Sequence, residues 1–199
     1  MLIEEKFSPT VCGIGVKGYE QTKKEGKVLK EYDLWKSMLR RCYVGKSEKK
    51  NIVYTNCTVS ENFKYYSYFK EWCFKQKGFY KDNWDLDKDI LVKGNKLYSE
   101  DTCCFVPHEI NQLFTKRCSS RGSLPIGVSY HKHSGKYQVR CSYNSQLKHV
   151  GYFSTPEEAF LAYKQAKEQH IKFVANKWKD MIDPRVYEAL MNYQVEITD

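Results

Sequence analysis

Residues 126–153 carry the pattern that most constrains the fold, because they alternate apolar and polar side chains in three short runs. The runs cover 126–131, 136–143 and 147–153, and turn-forming residues separate them, at 133–135 (HSG) and 144–145 (NS). Alternation with a period of two is typical of strands with one buried face, and such short connections join antiparallel neighbours. The pattern therefore predicts a three-stranded antiparallel sheet.

A helix start follows the third run directly. Thr155 suits the N-cap, Pro156 suits the first helical position, and Glu158 completes a capping box with Thr155. The apolar stripe predicted for this helix consists of Ala159, Phe160, Ala162, Tyr163, Ala166, His170 and Phe173. One long helix packed across the sheet, with a last short helix over 185–193, predicts an α+β fold.

The two faces of the predicted sheet differ in chemistry. In the middle strand Tyr137, Val139 and Cys141 fall on the side of the helix, while the alternate positions are polar. The polar face combines residues of all three strands: Ser129, His131, Lys136, Gln138, Arg140, Ser142, and Lys148 or His149. Any half-buried antiparallel sheet has a solvated polar face, so polarity alone indicates no function.

Charge distinguishes this face from an ordinary solvated one. The interval 121–156 contains five Lys/Arg and no Asp or Glu, in a chain with 33 Lys+Arg, 24 Asp+Glu and a formal net charge of +9. Cations attract phosphates, and Arg or Gln can pair with guanine or adenine edges in the major groove. We therefore predict a face that binds duplex DNA, with these contacts: Ser129, His131, Lys136, Gln138, Arg140, Lys148 and His149.

Three strings in this region, GVSY (127–130), GKYQV (135–139) and VGYFSTPEEA (150–159), are followed by Ala162 and Tyr163. Over residues 124–175 the chain resembles the Apetala-two DNA-binding domain. The resemblance implies a three-stranded sheet lying in the major groove, with these residues facing DNA: Ser129, His131, Gln138, Arg140 and His149. The sequence departs from the family in lacking its rich set of Arg and Trp on that face, so the resemblance does not predict which bases are read.

The region before residue 118 predicts a different structure. Tyr32, Trp35 and Leu39 recur at helical spacing and favour a helix over 31–43. A second helix is predicted over 65–76 and a strand over 84–92. We expect the basic residues of the first helix to contact DNA phosphates: Lys36, Arg40 and Arg41. The string CSSRGS at 118–123 is typical of a linker, so we divide the chain into 1–118, a linker at 119–123, and 124–199.

Four strings within residues 31–114 point to a known class of nuclease: LWKSMLRRCY (34–43), WDLDKD (84–89), GNK-x-YS (94–99) and CCFVP (103–107). Together they resemble the phage and bacterial homing endonucleases of the H-N-H (HNH) class, which often carry a C-terminal Apetala-two module. The resemblance implies a hairpin and a helix around one divalent metal ion, beside a histidine that acts as general base. It also implies an origin in a phage or another mobile element.

Lys88 occupies the position that corresponds to this histidine. A lysine is protonated at neutral pH unless it is strongly buried, so it is a poor base. Asp87, Asp89 and Asn95 carry oxygens that suit Mg²⁺, with Asp87 and Asp89 as metal ligands in an active enzyme; alternatively, the two carboxylates pair with neighbouring lysines. We interpret Asp87, Lys88, Asp89 and Asn95 as the remnant of a catalytic centre.

These patterns predict a sequence-specific duplex-DNA-binding protein, a transcriptional repressor derived from a homing endonuclease that has lost cleavage and needs no cofactor. The alternative is an active Mg²⁺-dependent H-N-H endonuclease that hydrolyses phosphodiester bonds. A protein-interaction module would explain the 15% of aromatic residues but not the face without acids. A cognate site made of inverted halves would imply a homodimer.

The sequence also predicts where the protein is located and whether its cysteines form disulfides or bind zinc. Apolar runs such as 103–106 and 159–163 are far shorter than the ~20 residues of a membrane span, and the N-terminus is acidic where a signal peptide is basic. We therefore expect no membrane partner and a cytoplasmic, nucleoid-associated location in a bacterial host cell. The eight cysteines include no Cys-x-x-Cys pair, which argues against structural zinc and a disulfide framework.

Overall fold

A computed structural model of the chain describes residues 11–44, 54–114, 124–143, 146–197 and 199. The chain forms two compact units, Met1–Pro107 and His108–Asp199. The linker predicted at 119–123 lies outside the described residues. Both units combine helices with small sheets, so the prediction of an α+β protein is confirmed at the level of fold class. Within the described residues, no helix is both long and apolar enough to cross a bilayer.

Two helices and their aromatic side chains form the core of the first unit. Helix α1 covers Lys30–Tyr43 and α2 covers Tyr66–Lys75, each within one residue of the predicted bounds. The rings of Trp35 and Tyr66 lie 5.4 Å apart between these helices, and the Trp35 indole donates a hydrogen bond to the carbonyl of Phe63 at 2.8 Å. A short 3-10 helix, Asn62–Lys64, precedes α2. The aromatic residues of this half therefore build its core.

Three small sheets complete the described part of the first unit, residues 11–44 and 54–107. Strands β1 (Lys23–Lys24) and β2 (Lys27–Val28) are antiparallel, and β3 (Thr58–Val59) is parallel to β5 (Leu97–Tyr98). Strand β4 (Trp84–Asp87) pairs antiparallel with β6 (Cys104–Pro107).

The strand predicted over 84–92 was too long. The carboxylate of Asp87 accepts hydrogen bonds from the backbone N–H groups of Asp89 and Ile90, at 2.7 and 2.8 Å. A short acidic side chain that binds nearby backbone donors in this way competes with the sheet ladder. The chain therefore turns after Asp87.

The second unit is built on one sheet and one long helix. Strands β7 (Val128–His131), β8 (Lys136–Tyr143) and β9 (Gln146–Phe153) form an antiparallel sheet in the order β7-β8-β9. Helix α4 (Pro156–Trp178) packs against all three strands, while α3 (His108–Gln112) and α5 (Pro184–Met191) contact α4. The three predicted strands and the long helix are confirmed.

Local contacts explain where α4 begins and how it packs. The Thr155 hydroxyl accepts a hydrogen bond from the N–H of Glu158, and the Glu158 carboxylate accepts one from the N–H of Ser154, both at 3.2 Å. Gly127 has a φ of +76°, and a Cβ at this position would lie 2.0 Å from the Tyr163 ring. Only glycine therefore allows β7 to approach α4 this closely.

The buried stripe of α4 differs from the prediction in its second half. Phe173 is 48% exposed, whereas Ile171, Val174 and Ala175 are buried. The C-terminal half of α4 also packs against α5, so its buried side is no longer defined by the sheet alone. The last helix ends at Met191 rather than at residue 193, and the carboxylate of Asp183 caps its start by accepting a hydrogen bond from the N–H of Arg185 at 2.8 Å.

Candidate nucleic-acid interface

Strand register assigns the side chains of β7, β8 and β9 to the two faces of the sheet. Directly paired residues of antiparallel strands point to the same face. Ser129 pairs with Gln138 and His131 with Lys136, while on the other side of β8 Gln138 pairs with Tyr152 and Arg140 with His149. We call the face opposite α4 the outer face; its residues are Ser129, His131, Lys136, Gln138, Arg140, Ser142, Leu147, His149 and Tyr152.

The outer face is open to solvent and carries no acid. Lys136, Arg140 and His149 are exposed, and Gln138 and His131 are half-buried. The sequence from 124 to 156 contains no Asp or Glu, so no carboxylate of these strands and turns can neutralise the two cations. The structure therefore brings six of the seven predicted contacts of this sheet onto one face.

Lys148 is the exception: of the two alternatives for the third strand, Lys148 or His149, only His149 lies on the outer face. Val150 is an extra residue in β9, so the register shifts between Val139 and Arg140 of β8. This β-bulge places His149 opposite Arg140 and Lys148 opposite Cys141, on the side of α4. The ammonium of Lys148 lies 4.4 Å from the centre of the Tyr143 ring.

Tyr152 is a residue of the outer face that the sequence analysis missed. Its ring lies between two imidazoles, with centroids 5.1 Å from His131 and 4.8 Å from His149. The Tyr152 hydroxyl accepts a hydrogen bond from Gln138 Nε2 at 3.1 Å. Counting alternation back from the inward-facing Phe153 would have placed Tyr152 outward.

The opposite side of the sheet contains a buried titratable group. His170 of α4 lies against Tyr143, with ring centroids 4.2 Å apart. Burial lowers the pKa of His170, and the nearby Lys167 and Lys148 cations lower it further, while the Ser142 backbone and Glu109 act in the opposite direction. This part of the unit therefore favours a neutral imidazole.

The three basic residues predicted on α1 differ in their surroundings. Arg40 is exposed. The Arg41 guanidinium lies 5.5 Å from the Tyr54 ring centre and donates a hydrogen bond to the Tyr98 hydroxyl. The Lys36 ammonium lies 5.8 Å from the centre of the Tyr32 ring. Both Arg40 and Arg41 are exposed, but Arg41 also contacts two aromatic residues of the first unit.

The four residues interpreted as a degenerate catalytic centre lie at the end of β4 and in the loop that follows it. Lys88 is only 4% exposed, and its ammonium donates to both carboxylate oxygens of Asp89, at 2.6 and 2.7 Å, and to the carbonyl of Asn95 at 2.8 Å. The Asn95 amide donates to the carbonyls of Lys88 and Leu97 and accepts from the N–H of Leu97. All three N–H groups of Lys88 and both polar atoms of the Asn95 side chain hold the loop together.

Asp87 also has a structural role in this loop. One of its oxygens accepts the two backbone hydrogen bonds that end β4. Removal from water raises the pKa of the Asp87 carboxyl, and these hydrogen bonds offset the effect only in part. Among the residues described here, no group of three His, Cys, Asp or Glu side chains is placed to hold a metal ion.

The loop does not fit Mg²⁺ well in this arrangement. Magnesium prefers oxygen ligands in octahedral geometry. The Asp89 carboxylate is paired with an ammonium, and the Asn95 oxygen accepts a backbone hydrogen bond. His108, the nearest histidine in sequence, is exposed and contacts Gln112 of its own helix. The chemistry present in the loop is that of an ion pair within a turn.

Comparison of the chain with protein-family models, curated proteins and solved structures found no match. The structure itself assigns the chain to the mixed α+β class, with small sheets. Within that class, the distinguishing feature of this chain is a sheet with one outer face that is basic, free of acids and not covered by a helix of its own unit.

Proposed function

We propose that the protein binds duplex DNA sequence-specifically through the outer face, and that it acts as a transcriptional repressor descended from a homing endonuclease. The observation that carries the proposal is the combination of Lys136 and Arg140 with Gln138 on one exposed face without acids. Phosphates can approach such a face without repulsion, and the sheet backbone holds the side chains that contact bases.

The distribution of acids in the second unit also supports binding of DNA to the outer face. Its carboxylates belong to the helices and the chain segments around them, including Glu157 and Glu158 in the first turn of α4, and Glu168 further along it. Helix α4 packs against the opposite side of the sheet. The outer face is therefore the side of the sheet on which phosphates meet no carboxylate of the strands.

Each type of side chain on the outer face has a distinct role in the proposal. Arg140 pairs with a guanine edge, and Gln138 pairs with an adenine edge. Lys136 and Ser129 contact phosphates, which position the protein on the duplex. Tyr152 contacts Gln138 and both flanking histidines, so it orients the polar side chains in the middle of the face.

Repression follows from binding without cleavage. The ion pair and hydrogen bonds around Lys88 support a loop that stabilises the fold rather than one that activates water. A protein that occupies a site without cutting it blocks other proteins from reading that site. Where the site has inverted halves, two copies would bind it.

The test is selection of binding sites from a random duplex library with the full chain, followed by mobility-shift titration of the selected site and a scrambled duplex. Arg140→Ala and Lys148→Gln are matched variants, because each removes one cation from the same sheet but from opposite faces. We expect Arg140→Ala to weaken binding to the selected site by about 1–3 kcal/mol and to relax the preference at one base pair.

Lys148→Gln should leave the sequence preference unchanged, because Lys148 faces α4. The proposal is wrong if the library yields no enriched sequence. It is also wrong if Arg140→Ala weakens binding to the selected and scrambled duplexes equally, or if the two variants have the same effect on specificity.

A further inference from the structure

A second surface with the chemistry of nucleic-acid binding lies in the first unit, at the end of α2 and in the turn that follows. Phe74 and Tyr80 are 41% and 73% exposed, and their rings stack with centroids 6.0 Å apart and an angle of 23° between planes. Exposed apolar side chains that adjoin one another, rather than single ones, are typical of interaction sites. We call Phe74 and Tyr80, with the segment 72–81 that carries them, the aromatic platform.

Ring contacts and hydrogen bonds fix the aromatic platform to the rest of the first unit. Phe79 is buried, and its ring contacts Phe74, Tyr80 and Phe105 at centroid distances of 5.5, 4.9 and 5.5 Å. The Lys30 ammonium donates to the carbonyls of Phe79 and Lys81, at 2.6 and 3.0 Å, which fixes the turn to α1. The exposed ring of Tyr80 is therefore held in place before any ligand binds.

Three lysines belong to the same short segment as the rings. Lys75, Lys77 and Lys81 are exposed, and the segment 72–81 contains no acid. Glu71 and Asp82 flank the segment at its two ends. The platform thus combines two exposed aromatic rings with three ammonium groups within ten residues.

We propose that the aromatic platform binds single-stranded nucleic acid, with a base stacked on the Tyr80 ring and the lysines contacting the adjacent phosphates. Stacking on an aromatic side chain requires a base whose face is open, and in a duplex both faces of each base are covered by neighbouring pairs. The charge of the platform selects a polyanion, and its rings select an unstacked strand. This proposal does not depend on the outer face.

The experiment uses the full chain and a fluorescently labelled 20-nucleotide single strand of mixed sequence, as DNA and as RNA, in anisotropy titrations. Tyr80→Ala should weaken binding about tenfold, whereas Tyr80→Phe, which keeps the ring, should bind as the unchanged protein does. Lys81→Gln should reduce the slope of log affinity against log salt by ~0.7. Tyr19→Ala is the matched control, because Tyr19 is 85% exposed in the same unit but lies outside the platform.

Cross-linking gives a second measurement that does not rely on affinity. A strand substituted with bromouracil should cross-link on irradiation to the peptide that contains Tyr80. Equal affinities of Tyr80→Ala and Tyr19→Ala, or cross-links confined to the second unit, would overturn the proposal. The sequence preference of Arg140→Ala for duplex DNA tests the outer face separately. The two binding proposals can therefore be refuted independently of each other.

Discussion

The ammonium of Lys88 contacts both carboxylate oxygens of Asp89, at 2.6 and 2.7 Å, in the loop after β4. A buried lysine requires such a partner, because an unpaired charge removed from water is strongly destabilising. The same ammonium also binds the Asn95 carbonyl, so one side chain joins both ends of the loop. The position that corresponds to a proton acceptor in the nuclease resemblance therefore holds three donors.

Replacement of Lys88 should destabilise the first unit. Lys88→Met keeps most of the side-chain volume but leaves the Asn95 carbonyl without its donor, so we expect a loss of about 1–3 kcal/mol in the free energy of unfolding. Urea denaturation measures the change. Lys93→Met, at an exposed lysine of the same loop, is the control and should change the free energy far less. Equal effects of the two substitutions would refute the structural role of Lys88.

Cleavage of DNA should be absent under conditions that support H-N-H enzymes. We expect no nicks in the selected duplex after incubation with the protein and Mg²⁺ or Mn²⁺, since Lys88 is paired with Asp89 and the Asn95 oxygen binds backbone. Gel electrophoresis of end-labelled strands measures this. Metal-dependent breaks that disappear in Asp87→Ala or Asp89→Ala would instead establish the endonuclease.

Phosphate contacts of α1 should affect affinity without affecting sequence preference. Arg40→Gln should weaken binding to selected and scrambled duplexes alike and reduce the slope of log affinity against log salt by ~0.9. Arg41→Gln is the comparison, because Arg41 contacts Tyr54 and Tyr98. We expect Arg41→Gln to lower thermal stability more than Arg40→Gln does. An unchanged salt slope for Arg40→Gln would remove α1 from the interface.

The second unit should lose stability as the pH falls below about 6.5, the usual pKa of a histidine. Burial lowers the pKa of His170, so the unfolded chain binds this proton more readily than the folded chain. The stability is fully present above the unfolded pKa and decreases toward the folded pKa. The charged groups around the imidazole are Lys167 on its own helix, Lys148 on β9 and Glu109 on α3.

Urea denaturation between pH 5 and 7.5 measures this dependence. His170→Phe replaces the imidazole by a ring that does not titrate, so the difference in unfolding free energy between the variant and the unchanged protein should depend on pH. Other groups that titrate in this range contribute to both proteins and cancel. A difference that stays constant from pH 5 to 7.5 would show that His170 is not responsible.

The elements that sequence predicted well are those specified by local chemistry. Thr155, Pro156 and Glu158 set the start of α4, and the alternation within each run set the strands of the second unit. Trp35 and Leu39 likewise indicated the buried side of α1. In each case neighbours in sequence are also neighbours in space, so the pattern contains the required information.

The features that sequence did not predict depend on contacts between distant positions or on one extra residue. The shift at Val150 breaks the period of two on which the assignment of Lys148 relied. The exposure of Phe173 depends on how α4 meets α5. The burial of Lys88 depends on hydrogen bonds to Asn95, seven residues away, and a lysine is ordinarily predicted at the surface.

Val150 affects two properties of β9: its local curvature, and whether the odd- or the even-numbered residues before it lie on the outer face of the sheet. Gly151, Phe153 and His149 are all odd-numbered, so a regular strand would turn them the same way, yet His149 points away from the other two. Deleting Val150 would restore regular alternation with His149 still opposite Arg140, and only the extra local coiling of the ribbon would be lost. We therefore expect this one inserted residue to bend the outer face without changing which side chains lie on it.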